Sequence, residues 1–352
     1  MSDLKINNIT DRTGDSGTVI AGVSTVTSTG AFTVASGPTS HRGGRGRGVF
    51  VGGYVTPSYS NQMCFVEIAT TGNAIDFGDL PFSKGGVPTC ASSTRGIAAG
   101  GGPTGPSSGS SPSGYIGSMY YSIISSQGGV SEFGDLINAR GWGSGCNSPT
   151  RGCFAGSEPG TSAAANTIEF ITMATTGDAT NFGNLTRARQ VDGSTSSQTR
   201  GIWAGGWYSP DVNVNIIDYI TFTSTGDAQH FGELGLSIYG NTMFGSNTRG
   251  ISSGGDPGPA ADINTMLYIT IASLGNAADF GDAQVATKYR GSSSTSIRGV
   301  VGGGYVSPAP INTIDYVTIA SLGNASDFGD LVSANSSMGG AGWCDSNGGI
   351  GE

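Results

Sequence analysis

Residues 200–248 read RGIWAGG (Arg200–Gly206), WYSPDVNV, NIIDYITFTST (Asn215–Thr225), GD, AQHFGEL and GLSIYGNTMFGSNT, and the next Arg-Gly follows at Arg249. The first piece is a short apolar run that ends in a glycine pair. The third alternates apolar and polar side chains, the pattern of a half-buried strand. Gly226-Asp227 supplies a turn, AQHFGEL another strand, and the segment before Arg249 a fourth. Four strands in about 49 residues match one blade of a β-propeller.

Two landmarks of this stretch run through the chain. The Arg-Gly recurs at Arg47, Arg95, Arg151, Arg200, Arg249 and Arg298, at spacings of 48, 56, 49, 49 and 49 residues. A Phe-Gly followed by an acid or Asn recurs at Phe77, Phe133, Phe182, Phe231, Phe280 and Phe328, at spacings of 56, 49, 49, 49 and 48. The extra residues of the second copy fall in PTGPSSGSSPSG, Pro103–Gly114, a loop between its second and third strands. One blade cannot bury both faces of its sheet. Packed radially, each sheet covers the next, and the ring hides nearly all long edges. The repeats therefore predict an all-β fold, a six-bladed β-propeller of four-stranded blades over residues 39–352. The Phe of each Phe-Gly and the aromatics Phe65, Tyr121, Phe170, Tyr219, Tyr268 and Tyr316 are expected to fill the space between blades.

Composition agrees. The chain has 62 glycines in 352 residues, with 12% charged and 9% aromatic side chains, which suits a turn-rich β protein. Recurring apolar clusters exclude disorder, and the lack of a triplet period excludes collagen. No apolar stretch reaches the ~18 residues of a membrane span, so no membrane insertion is expected. A formal charge of −9 disfavours a nucleic-acid partner. The one basic stretch, His41–Gly48 (HRGGRGRG), has few arginines for an RGG arm, and its Arg47 belongs to the repeat. Five cysteines, an odd number without a CxxC, indicate neither a disulfide framework nor a zinc site. The opening MSDLKINNIT has no basic-plus-apolar signal segment.

An apolar strand closing on a glycine pair, an apolar strand with a Tyr, and an aromatic before a Leu, repeated at about 50 residues, resemble the kelch repeat. The pairs Gly52-Gly53, Gly101-Gly102, Gly205-Gly206, Gly254-Gly255 and Gly302-Gly303 carry the likeness. Two features depart from it: Phe replaces the fourth-strand Trp, and the third copy has Ala155-Gly156-Ser157 in place of the pair. Only a glycine-rich stub precedes Arg47, whereas the chain runs on after Phe328 through NSSMGGAGWCDSNGG. The C-terminal segment is therefore expected to supply the innermost strand of the first blade, which resembles the closure of kelch-like propellers.

Residues 1–38 lie outside the repeat, are Thr/Val-rich and have no core of their own. With the Gly-Arg-rich joint and the TG-N-A-x-DFGDL turns, this opening resembles virion structural proteins of tailed phages of marine bacteria, particularly cyanophages. The resemblance implies a virion location. It also implies an N-terminal arm that attaches to other virion proteins or to further copies of the chain. The expected role is host recognition or adhesion, as in a tail fibre. The alternatives are a head decoration, vertex or tail accessory protein without a recognition role, and an enzyme acting on surface glycans.

Catalysis is not expected, and neither is a cofactor or metal. The copper site of galactose oxidase, a related propeller, needs two histidines and a Cys-Tyr crosslink, and here His41 and His230 lie in unrelated contexts. Gly100-x-Gly102-x-x-Gly105 contains Pro103 and lacks a following helix, so it reads as a loop. Asp327 and Asp330 have no calcium-loop spacing. The six repeat arginines, Arg47, Arg95, Arg151, Arg200, Arg249 and Arg298, are expected to form structural salt bridges. Their partners would be the acids after Phe-Gly: Asp79, Asp135, Glu233, Asp282 and Asp330. The alternative is an anion-binding ring. On the opposite face, Tyr54, Trp207 and Tyr305 share one repeat position, with Tyr59 and Tyr208 nearby. Loop aromatics beside Asn, Asp and Ser suit a host-surface glycan or receptor. Loop-anchoring packing or contact with a neighbouring subunit is the other reading. The remaining copies offer Gly102, Glu158 and Asp256 there, so any site is asymmetric.

Overall fold

The computed structural model describes residues 46–102, 114–157, 166–208, 212–258, 262–338 and 342–346. The expected arm, most of the Gly-Arg-rich joint, and Glu158 lie outside the described residues. Among those described, no helix is long and apolar enough to cross a membrane.

Six antiparallel sheets of four strands make the ring. In the blade quoted first, the fourth, the strands are Gly193–Ser196, Arg200–Ala204, Ile216–Thr221 and Gln229–Glu233. The first strands of successive blades adjoin one another, and the sixth adjoins the first, which closes a six-bladed propeller about one axis. The innermost strands are rich in small residues, as in GSTS and GSSS. Their hydroxyls bond from strand to strand: Ser194 Oγ donates to Gly145 O at 2.7 Å, and Ser292 Oγ to Met243 O at 2.8 Å.

The C-terminal segment closes the ring as expected. Trp343–Cys344 pairs with Arg47–Val51 through Gly48↔Cys344 and Val49↔Trp343. Trp343 is fully buried, and its indole N–H donates to Ile97 O of the second blade at 3.0 Å. In the other blades the turn into the second strand is held by a Ser or Thr. In the fourth, Ser197 N donates to Arg200 O at 2.8 Å, and Arg200 N donates to Ser197 Oγ at 3.0 Å. In the first blade Asp345 takes the Ser role: its N faces Arg47 O at 3.4 Å, and Arg47 N donates to its Oδ1 at 3.0 Å. The corner is complete without a peptide bond across it.

The core lies in the blade boundaries. Six apolar clusters each straddle two neighbouring blades. Each third-strand aromatic meets its Phe-Gly ring edge to face at 5.8–6.3 Å between centroids. The glycine of Phe-Gly exists for close approach. A Cβ on Gly232 would sit 2.2 Å from Gly275 O of the next blade, and the other five copies are similar. That approach lets the third-to-fourth turn of one blade cover the outer edge of the blade before it, as Gly275 N to Phe231 O (3.0 Å) and Ala277 N to Glu233 O (2.9 Å) show.

The repeat arginines are structural, but their partners differ from expectation. Each guanidinium stacks on the third-strand aromatic of its own blade, 4.3–4.9 Å from the ring centroid. Each then donates to main-chain carbonyls just past the third strand of the next blade, at 2.5–3.2 Å. Among the described residues only Arg47 of the six forms an ion pair, with Glu67 at 3.3 Å. Salt bridges to Asp79, Asp135, Glu233, Asp282 and Asp330 do not form. Carbonyls at a strand end have no sheet partner and need donors, and the arginine fork supplies several. The acids lie at an edge that the neighbouring turn already occupies: Asn276 Oδ1 accepts from Glu233 N at 3.0 Å.

Three blades instead bury an ion pair elsewhere. Arg140 pairs with Glu169, Arg189 with Asp218 at 2.8 Å, and Arg290 with Asp315 at 2.7 Å. Two glycine pairs also shift register. The left-handed pairs are Gly100-Gly101 and Gly303-Gly304, not Gly101-Gly102 and Gly302-Gly303, because each run of three glycines leaves the register open until φ is known.

Candidate functional site

In an antiparallel four-stranded blade, the second-to-third loop and the connection to the next blade lie on the same face. Three second-to-third loops fold into small hairpins. These pair Tyr54–Val55 with Ser58–Tyr59, Trp207–Tyr208 with Val212–Asn213, and Tyr305–Val306 with Ala309–Pro310. Single bridges pin these loops to the inter-blade connections, Tyr54↔Ser336, Gln190↔Trp207 and Lys288↔Tyr305, and Tyr239↔Asp256 does the same for the fifth blade's loop.

Between them opens a funnel of about 860 Å³. Tyr54, Tyr59, Trp207 and Tyr305, expected on one face, all line it. They are half-buried rather than fully exposed, and Tyr54 and Tyr59 pack edge to face at 5.5 Å. Tyr208 departs from this group. It follows Trp207 in an extended strand, so it points to the other side, where Arg187 lies 3.5 Å over its ring. Gly102 bridges to Gly85 and offers no side chain, while Asp256 does line the funnel.

The floor comes from the inter-blade connections. Trp142 and Tyr289 belong to opposite blades, yet their rings meet at 5.5 Å, so they close the axis. Both are left-handed, at φ 60° and 59°. Gly86, Gly240 and Ser337, at the corresponding positions, are left-handed too. The conformation aims their peptide groups around the axis. Trp142 N donates to Gly86 O, Gly86 N to Ser337 O, Ser337 N to Tyr289 O, and Tyr289 N to Gly240 O, at 2.7–2.9 Å. Val191 N reaches Trp142 O at 3.3 Å. The last link breaks the pattern: Gly240 N donates to the Asp192 carboxylate at 2.9 Å. That carboxylate also accepts both Gln190 Nε2 contacts, at 2.8 and 2.9 Å. Burial pushes the Asp192 pKa up to about 6, against the pull of these hydrogen bonds.

One wall is charged. Lys288 Nζ donates to Asp256 Oδ2 at 2.5 Å and lies 3.5 Å from Asp262. Tyr239 Oη donates to the same Asp256 oxygen at 3.0 Å, and Gly258 N to its Oδ1 at 2.7 Å. Burial disfavours the Asp256 charge, but these donors hold its pKa below the usual carboxylate value. Burial likewise opposes the Lys288 charge, and its hydrogen bond to Asp256 and the nearby acids raise its pKa instead. Both groups stay ionised and tied to each other, so the wall offers hydrogen bonds rather than a proton relay. Among the described residues no group of three or more His, Cys, Asp or Glu could hold a metal ion. His230 is exposed on the outermost strand of the fourth blade, and His41 lies outside the described residues.

Sequence reasoning missed Trp142, Tyr239, Lys288 and Tyr289. Each stands nine or ten residues before an Arg-Gly, so aligning the repeats at that column brings them out. No protein-family model matches the chain, and no curated protein matches it.

Proposed function

We propose that this protein is a recognition or adhesion module of a virion, such as part of a tail fibre, and that it binds a host-surface glycan in the funnel. One observation supports this above others: rings from three separate hairpins and from the axial loops converge on one concavity of about 860 Å³. Small-molecule sites span roughly 300–1,000 Å³. Flat aromatic faces beside hydroxyl, amide and charged groups suit pyranose rings. The virion setting draws on the likeness of the N-terminal stretch and the Phe-Gly turns to phage structural proteins.

The test is Tyr54→Ala, Trp207→Ala and Tyr305→Ala combined in the full chain. Stacking contributes on the order of 1 kcal/mol per ring, by analogy with aromatic pairs. Three rings should then weaken binding to host cells or to a glycan array by about a hundredfold. The melting temperature should barely move, because none of the three belongs to the six apolar clusters. Unchanged adsorption at normal stability would remove the recognition role and leave a scaffold component of the particle.

A further inference from the structure

The charged wall of the funnel has a consequence for ligand class. Its one ammonium, Lys288, is shared between two carboxylates, Asp256 at 2.5 Å and Asp262 at 3.5 Å. These three groups sum to one surplus negative charge. Beneath the floor, Asp192 adds another carboxyl group that ionises near pH 6. Among the described residues, Lys288 is the one cation that lines the funnel; Arg187 lies over Tyr208, and Lys84 Nζ donates to Gly114 O at 2.7 Å.

We infer that the funnel selects an uncharged oligosaccharide and turns away acidic ones, such as uronate or sialic acid chains. The inference rests on glycan recognition at this site. A ligand carboxylate entering the funnel would find no uncommitted ammonium and would face excess negative charge in a partly desolvated space. Neutral hydroxyls meet no such penalty. They can donate to the Asp256 oxygens and accept from the serine hydroxyls at Ser336 and Ser337, while ring faces stack on Trp207, Tyr54 and Tyr305. Asp262 is thus a specificity residue: it helps hold Lys288 away from incoming anions.

The test uses the full chain against a panel of immobilised glycans. The neutral probes are dextran, galactomannan and N-acetylglucosamine oligomers; the acidic probes are alginate, hyaluronan and polysialic acid. Binding is expected to at least one neutral probe and to none of the acidic ones. The neutral binding should change less than twofold between about 50 and about 500 mM salt, because no net ion pair is made. Asp256→Asn combined with Asp262→Asn releases Lys288 and should raise binding to acidic probes at least tenfold at low salt. Acidic probes binding the unmodified protein as well as neutral ones would overturn the inference while leaving glycan recognition intact. Failure of every probe would overturn both.

Discussion

Replacing Gly232 by Ala isolates the contact on which the ring depends. Of the six Phe-Gly glycines, Gly232 is the one whose φ lies outside the left-handed range, so an added methyl brings a steric effect without backbone strain. Its Cβ would stand 2.2 Å from Gly275 O and 2.5 Å from Gly275 C of the next blade. A carbon–oxygen contact needs about 1 Å more than that, so the turn has to withdraw. Three hydrogen bonds go with it: Gly275 N to Phe231 O (3.0 Å), Ala277 N to Glu233 O (2.9 Å) and Glu233 N to Asn276 Oδ1 (3.0 Å). At about 1 kcal/mol each, the loss is about 3 kcal/mol before any repacking. Gly235→Ala is the control. A Cβ there meets nothing within 4 Å, so its stability should stay within about 0.5 kcal/mol of the parent or rise slightly. Urea unfolding of both variants, followed by tryptophan fluorescence, measures the difference. A Gly232→Ala variant as stable as the control would refute the close-approach account of Phe-Gly.

The seam and the axis give two further tests. Trp343→Ala empties a fully buried site that bridges the first two blades and should cost about 3–5 kcal/mol. Deleting residues 333–352 should abolish the cooperative melt or cause aggregation, seen by calorimetry and size-exclusion chromatography, because the Arg47–Val51 edge is then bare. Asp192 has a folded pKa of about 6 against an ordinary 3.8, so the folded state favours its neutral form. That preference stabilises fully below about pH 4 and is lost as pH rises through about 6. Asp192→Asn should therefore flatten the fall of melting temperature over that window and exceed the parent at pH 7. An unchanged slope would mean that the carboxylate is solvated.

Much of the fold was legible because geometry repeats wherever contacts repeat. Arg-Gly and Phe-Gly keep step since each meets the neighbouring blade at the same place. The closing strand was legible because the register of the repeats runs past Phe328. The arginine partners were not, because a main-chain carbonyl has no signature in the sequence, whereas the acids that looked like partners are spelled out. Half of the funnel was legible through the column of Tyr54, Trp207 and Tyr305. The other half was hidden in the inter-blade connections. There Trp142 and Tyr289 look like core aromatics until the left-handed turns carry them over the axis. The pairs Arg140–Glu169, Arg189–Asp218 and Arg290–Asp315 were invisible for a similar reason: their partners are 25 to 29 residues apart and fall in columns without a fixed residue type.

The unlinked corner between Asp345 and Arg47 joins residues 298 positions apart, so it forms only when the whole ring has come round. No peptide bond crosses it, so parting it breaks non-covalent contacts alone, as a ring of links parts at its clasp. The clasp sits in the blade that carries Tyr54 and Tyr59, and the Tyr54↔Ser336 bridge spans the same join. Trp207 stands on the blade diametrically opposite. A ligand long enough to touch both sides of the funnel would tie the two halves of the ring together and oppose its opening. Occupancy would then show as slower unfolding as well as a higher melting point, which makes the bound ligand a strut for the ring that holds it.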